Sequence, residues 1–410
     1  MLKRIILVLG LVIAAGQARA EPDAGPTNTI SGLVDLRLAA ASGERSWLDH
    51  GFGKTRFGGG GAYARLGEAA LAWRSQLTWD WSVQAEAEIQ PDHDHAVRLG
   101  EAYVAYKPMP IGQTRISGRF GLFYPPISLE HGGAFWTPTD TITPSAVNSW
   151  VGEEVKVVGL EASARRTIAG QDVALTGALF EFNDTSGTLL TARGWALGDV
   201  KTSAYGRFDL PPRGGILRFV QAPVTNPVME LDRRIGEYGR LDWRPTGQLD
   251  LNLFYYDNAG DRVSRQRKQW AWRTRFFNPG LRYDWDARTT LRAQAMTGST
   301  LMGFGDPDLW VKTEFSAGYL MLTRRLGPDD ALSARLDLFQ THNRADPLYG
   351  PTQERGWAVT ADYKRPLSPN AALLVEAIYV SSDRPARQEI LGEPPRQDQT
   401  VLQSALRLSF

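Results

Sequence analysis

Apolar and polar residues alternate with a period of two along nearly the whole chain, and this limits its fold more than any other feature. In the last such segment Leu402, Leu406, Leu408 and Phe410 fall on one face, and Gln403, Arg407 and Ser409 on the other. Leu373, Val375, Ala377 and Tyr379 share a face opposite Glu376. Trp357, Val359, Ala361 and Tyr363 oppose Thr360, Asp362 and Lys364, and Trp81, Val83, Ala85, Ala87 and Ile89 oppose Gln84, Glu86 and Glu88. A strand turns successive side chains to opposite faces. Each segment therefore predicts a strand with one aliphatic and aromatic face and one charged face.

The alternating segments are 29–39, 66–78, 81–90, 97–107, 114–124, 153–166, 172–183, 233–245, 248–258, 271–285, 289–299, 311–325, 331–341, 356–366, 370–381 and 399–410. Each has about the 9–11 residues of a tilted membrane-spanning strand, or somewhat more. Short turns, such as those around Pro108–Gln113 and Asp286–Arg288, alternate with longer loops, of which 40–65, 125–152 and 184–232 are the longest. An even number of strands, short turns at one end and long loops at the other form the pattern of a bacterial transmembrane barrel with both termini on the periplasmic side. A soluble β-sandwich or propeller has no reason to alternate its connections in this way, and no blade-length repeat is visible. The sequence predicts an all-β fold, a transmembrane antiparallel β-barrel of about 16 strands with short periplasmic turns and long outer loops. A hairpin within 200–225 fits inside the longest loop.

Composition agrees. The mean hydropathy of −0.30 would suit a soluble protein, but a barrel strand shows only half of its residues to lipid. Residues 1–20 carry Lys3 and Arg4, the apolar run Ile5 to Ala15 and the small-x-small site Ala18-Arg19-Ala20. They read as a signal peptide, and the barrel as residues 21–410. The chain has no Cys, which excludes disulfides, thiolate metal sites and a lipidated Cys anchor. A net charge of +1 gives no basic excess for nucleic acid.

Placing the charged face toward lipid would cost about 2–4 kcal/mol for each Arg or Lys at mid-depth. Repeated around the barrel, that exceeds the roughly 5–15 kcal/mol of ordinary protein stability, so the charged face is read as the lumen. It would carry Arg115, Arg119, Arg165, Arg240, Arg273, Arg275, Arg292 and Arg335 as an anion track, with Lys312, Arg324 and acidic neighbours such as Asp35, Glu161, Asp242 and Glu314. Two readings stand. Either the arginines bind anions, or Arg and Asp/Glu pair across strands at about 0.2–1 kcal/mol each and leave a weak preference.

The segment Gly118-Arg-Phe-Gly-Leu-Phe-Tyr-Pro-Pro-Ile-Ser-Leu-Glu130, the segment Ala146-Val-Asn-Ser-Trp-Val-Gly-Glu-Glu154 and the terminal Phe410 resemble Gram-negative outer-membrane porins, most specifically the phosphate-selective porin O/P-like group. The resemblance implies a 16-stranded barrel, commonly a homotrimer, through which small hydrophilic solutes diffuse. It implies that 125–152 folds into the lumen as a constriction loop, where Glu130, His131 and Asp140 could oppose the basic track. It also implies that the barrel-assembly machinery reads Phe410. In that group lysine and arginine ladders line the pore, whereas the lining here is mixed in sign, so the expected preference is for anions in general. Outer-membrane lipid and lipopolysaccharide, solutes or anions, and two further copies are the expected partners, and no cofactor is expected.

Other chemistry lacks its residues. Asp92-His93-Asp94-His95 offers metal-ligand types, but a polar turn explains them and no metal is expected. No G-x-S-x-G is present, and Gly58–Gly61 lacks the Lys-Ser/Thr of a phosphate loop, so no enzyme is expected. Segment 21–28 is too short for a plug domain. The alternative is a non-conducting adhesive barrel working through its long loops, above all 184–232.

Overall fold

The computed structural model describes residues 27–92, 97–132, 134–305, 309–345 and 351–410. Residues 1–20, read from sequence as a signal peptide, and His93, Asp94 and His95 lie outside them. Sixteen strands form the wall: β1 Thr27–Gly43, β2 Gly61–Gln76, β3 Trp81–Ile89, β4 Arg98–Tyr106, β5 Thr114–Phe123 and β6 Val157–Ile168. They continue as β7 Gln171–Glu181, β8 Gly236–Arg244, β9 Leu249–Asp257, β10 Arg273–Asp286 and β11 Thr289–Gly303. The last five are β12 Trp310–Arg325, β13 Ala331–Ala345, β14 Glu354–Ser368, β15 Ala371–Asp383 and β16 Arg396–Ser409. Each pairs antiparallel with its neighbours in sequence, and β16 pairs with β1. The barrel is closed, as the alternation predicts, and no strand of the wall is left with an unpaired edge.

Every alternating segment overlaps one of these strands, and most differences fall at ends. One has a physical cause. Glu153 and Glu154 belong not to β6 but to a helix, α1 (Ala146–Glu154), whose N-cap Ser145 accepts a hydrogen bond from the Asn148 N–H at 3.3 Å. A second short helix, α2 (Thr188–Arg193), lies in the longest loop. In that loop Phe208–Asp209 also pairs with Val224–Thr225 as a minimal hairpin.

The outward face carries the aromatics that mark membrane boundaries. Trp73, Trp81, Trp243 and Trp285 are exposed near the short turns. Toward the long loops, Tyr255 meets Phe277 at 4.9 Å and Trp357 meets Tyr379 at 5.4 Å between ring centres.

The seam is tied on both sides of the wall. Inside, Arg407 pairs with Asp35 at 3.0 Å, and Asp35 with Arg37 at 2.9 Å. At the chain end the Phe410 N–H donates to the Gly32 carbonyl at 3.2 Å. The Phe410 ring occupies the place where a Cβ at Gly32 would stand. Deleting Phe410, or replacing Gly32 with Val so that the ring must leave, is expected to lower the fraction of chain that migrates as folded barrel on unboiled gels; wild-type levels in both variants would refute this role.

Candidate functional site

The lumen is not an empty pipe. Residues 124–132 and 134–156, between β5 and β6, leave the wall and circle its inner surface. The Pro126 carbonyl accepts from Arg240 of β8. The Ile127 carbonyl and the Leu129 N–H bond to the Gln294 side chain of β11 at 2.9 and 3.0 Å. Farther on, Ile142 and Thr143 donate to Glu376 of β15 at 2.9 and 3.1 Å. The chain then turns into α1, every residue of which is buried.

Carboxylates hold the start of α1, where free N–H groups and the helix dipole favour negative charge. Glu130 accepts from the Ser145 N–H at 3.0 Å, the Ser145 hydroxyl and Asn148 Nδ2, and it pairs with Arg335 at 3.0 Å. Asp337 accepts from the Ala146 N–H at 3.0 Å and from Arg335 Nε at 2.8 Å. In mid-helix Trp150 packs against Phe276 and Phe315 of the wall, with ring centres 5.5 and 5.2 Å away. Gly152 lets the Trp136 ring approach closer than a Cβ would allow.

The loop between β7 and β8, read from sequence as an outer surface or lid, also runs inside. From Asn183 to Ala204 it follows the wall around α1. Thr191 bonds Thr313 of β12 at 3.1 Å, and the Trp195 indole donates to the Gln340 carbonyl of β13 at 3.0 Å. Asp199 pairs with Arg37 and Arg56, each at 2.9 Å, and Lys201 pairs with Glu68 of β2 at 2.5 Å. The Ala204 N–H reaches the Leu99 carbonyl of β4 at 3.0 Å. Burial disfavours a charge on Asp199, but Arg37 and Arg56 together hold its carboxyl below the usual carboxylate range.

The two segments lock together. Arg193 grips Glu153 through two hydrogen bonds of 2.7 and 2.9 Å, with both side chains fully buried. Glu154 accepts from the Leu189 and Leu190 N–H groups at the start of α2 and from the Trp150 indole. A cleft of about 10 Å³ remains among Asp35, Glu68, His131, Trp136, Lys201 and Arg407, which is about enough for one water. The outer part of the lumen is thus packed with buried side chains, whereas toward the short turns after β4 and β6 inward side chains such as Arg115 and Arg165 are exposed and line a vestibule.

The residues of the expected anion track divide into three groups. Arg115 and Arg165 face the vestibule, stand directly opposite each other across β5 and β6, and are exposed. Among the described residues neither side chain has a carboxylate partner, and the same holds for Arg74 on the inner face of β2. Arg119, Arg240, Arg292 and Arg335 also point inward, but each is paired. Arg119 lies 2.8 Å from Glu161, Arg240 2.6 Å from Asp242 and Arg292 2.6 Å from Asp140. Arg335 is sealed between Glu130 and Asp337.

Arg273 and Arg275 correct the sequence reading, because they point outward, as do Lys312, Glu314 and Arg324. Thr274, Phe276 and Asn278 are the buried inward residues of β10, so the alternate residues face out. Two physical facts defeat the expectation. The inward loops make part of the lumen apolar, and near the strand ends an outward charge costs only about 0–1 kcal/mol.

The constriction residues are also placed differently from the expectation. Glu130 is a buried clamp and cannot face a pore, while Asp140 neutralises Arg292. His131 accepts or donates a 2.6 Å hydrogen bond with Ser128 and stacks on Trp136. Burial and the nearby Lys201, Arg407 and Arg335 push it well below the ordinary histidine value. Sequence reasoning missed Glu153, Glu154 and Trp150 as anchors. Ser145 at the N-cap position is the signal that would have found α1.

A closed barrel with inward-folded loops and a charged vestibule defines a porin-type architecture. No protein-family model matches the chain, and no curated protein matches it by sequence. Among solved structures it is similar to the outer membrane channel DcaP of Acinetobacter baumannii, with a TM-score of 0.57 and 12% identity over 96% of this chain and 100% of that one. It is similar to the anion-selective porin from Comamonas acidovorans, with a TM-score of 0.52 and 14% identity over 94% of this chain and 100% of that one. OprB of Pseudomonas putida has a TM-score of 0.52 and 12% identity over 94% of each chain. The chain has the fold of outer-membrane porins.

Replacing Arg193 with Met leaves Glu153 buried without its partner, a change that costs about 3–5 kcal/mol. Hydrogen exchange over α1 is expected to accelerate while the wall strands stay protected; unchanged exchange would refute the clamp. Burial also pushes Glu154 from its ordinary 4.5 up to about 7, against its three hydrogen bonds. The folded loops therefore hold this proton more tightly than unfolded ones. Their stability is full below about 4.5 and falls as pH rises through about 7. Exchange protection of 183–204, corrected for intrinsic rates, is expected to drop from pH 5 to pH 8, and E154Q is expected to remove that drop.

Proposed function

We propose that the protein is an outer-membrane porin of small conductance with a weak preference for anions, delivered to that membrane behind residues 1–20. The observation that carries the preference is the exposed Arg115–Arg165 pair. Two like charges side by side repel each other, and an anion entering the vestibule relieves that repulsion. Arg74 adds to the same field. Arg244 and Arg282 are balanced by Asp250 and Asp284, so the basic excess is local. Charge of one sign lining an aqueous passage biases which ion enters.

The two connections folded into the lumen support the small conductance. The resemblance to the phosphate-selective porin O/P-like group supports an anion as cargo, and the mixed lining favours anions in general over phosphate alone. Assembly as a homotrimer and recognition of Phe410 by the assembly machinery belong to the same proposal and are supported by that resemblance.

Reconstitution in planar bilayers under a KCl gradient tests the reading. Wild-type protein is expected to give small steps with a reversal potential on the chloride side. R115E with R165E is expected to move that potential to the potassium side. Absence of current, or a cation-selective wild type, would overturn the proposal.

A further inference from the structure

At the outer rim, beside α2, several connections meet over a knot of buried charge. Glu44 and Lys54 come from the β1–β2 connection, Glu354 from the start of β14, and Arg384 and Arg387 from the β15–β16 connection; all five are buried. Arg387 lies 2.8 Å from Glu44, and Lys54 pairs with Glu354. Arg384 reaches only Glu354, at 4.0 Å, and that carboxylate already serves Lys54 and the Trp195 N–H. Gly194 permits the crowding, since a Cβ there would overlap Glu354 and Arg384. Three cations thus share two carboxylates.

A buried charge without its own partner is costly. Burial, with Arg387 and Arg384 close by, pushes the Lys54 ammonium down to about 7 despite Glu354. Burial likewise lowers Arg384, helped by Arg387 and Arg193. The five groups together hold more positive charge than they neutralise.

A cleft of about 20 Å³ adjoins Arg384, and roughly 10–15 Å³ is enough for one water-sized occupant. Pro212, Leu217 and Ile390 give it apolar walls, Arg213, Thr352 and Arg384 bring polar groups, and no carboxylate lines it among the described residues. The two terminal nitrogens of Arg384 donate to the carbonyls of Thr352, Thr191 and Ala192 at 3.1, 3.2 and 2.9 Å. Its Nε is buried and has no acceptor among the described residues, and the Thr352 hydroxyl is buried without a partner in the same way. Arg213 donates to the Gln221 carbonyl and pairs with no carboxylate among the described residues. Two orphaned donors and a second guanidinium therefore border one small cleft.

We infer that this cleft binds a single halide ion among Arg384 Nε, the Thr352 hydroxyl and Arg213. A water would accept both orphaned hydrogen bonds but would leave the excess charge in place, and a phosphate or carboxylate is too large for the volume. The ion is a fixed part of the outer rim, tying the β7–β8, β13–β14 and β15–β16 connections together, and is distinct from any solute in the vestibule.

Hydrogen exchange of the full-length folded protein in neutral detergent, in sodium chloride against sodium gluconate at equal ionic strength, tests it. Chloride is expected to slow exchange over 212–221 and 384–392 by about tenfold once it exceeds its Kd by about tenfold. Gluconate, too large for the cleft, is expected to give no such protection. T352V and R213Q are expected to keep the heat-dependent gel shift and to lose most of the chloride effect. R115E with R165E is expected to retain it, which separates this site from the vestibule and its failure from failure of the porin reading. In crystals soaked in sodium bromide, anomalous signal is expected within hydrogen-bond reach of Arg384 Nε and Thr352 Oγ1. Equal exchange in the two salts, or a chloride effect that survives both T352V and R213Q, would overturn the inference. So would a chloride effect that vanishes in R115E with R165E, or a cleft without bromide, which would assign a water to it.

Discussion

The rest of the molecule depends on the seam where β16 returns to β1. Backbone donors and acceptors have no partners in hydrocarbon, so a sheet in a membrane must close on itself. Closure places Asp35 opposite Arg407 on the inner face, and the pair is extended by Arg37 to Asp199 and from there to Arg56. One charged chain therefore fixes both the wall and the segment inside it. Moving the register of the seam by one residue would turn every outward side chain inward, and it would separate this network.

Once the wall is closed, its inner surface has to be satisfied without lipid. The protein does this by folding two of its outer connections into the barrel. On the β7–β10 side the inner wall is aromatic, with Phe180 stacked on Tyr256 and Tyr256 on Phe276 at 5.1 and 4.9 Å. On the β13–β16 side it is charged, and loop backbone supplies the partners, as where Thr143 and Pro144 accept from Arg335. α1 lies between these two surfaces, with Trp150 turned to the aromatic one and its start held by the charged one. The buried ions act by specifying position. Each is costly if left alone, so the loop conformation that satisfies all of them is the one adopted.

The same logic separates the arginines. Those paired inside build the structure, and those left exposed without carboxylates are free to act on solutes. Arg115 and Arg165 are of the second kind in the vestibule.

The alternation of residues determined the barrel. It fixed the number of strands, their order and which end carries the short turns, because a period of two is local and every strand repeats it. It also placed Arg115, Arg165 and Glu161 on the inner face, since an unbroken phase from neighbouring Leu160 and Phe120 decides their direction. It did not reveal the filled lumen, the pairing of Glu153 with Arg193 or the outward direction of Arg273 and Arg275. Those depend on residues far apart in the chain meeting inside the closed wall. Only the tertiary structure shows that Phe276 faces a buried tryptophan and not lipid, and that one fact reverses the face assigned to every residue of β10's outer end.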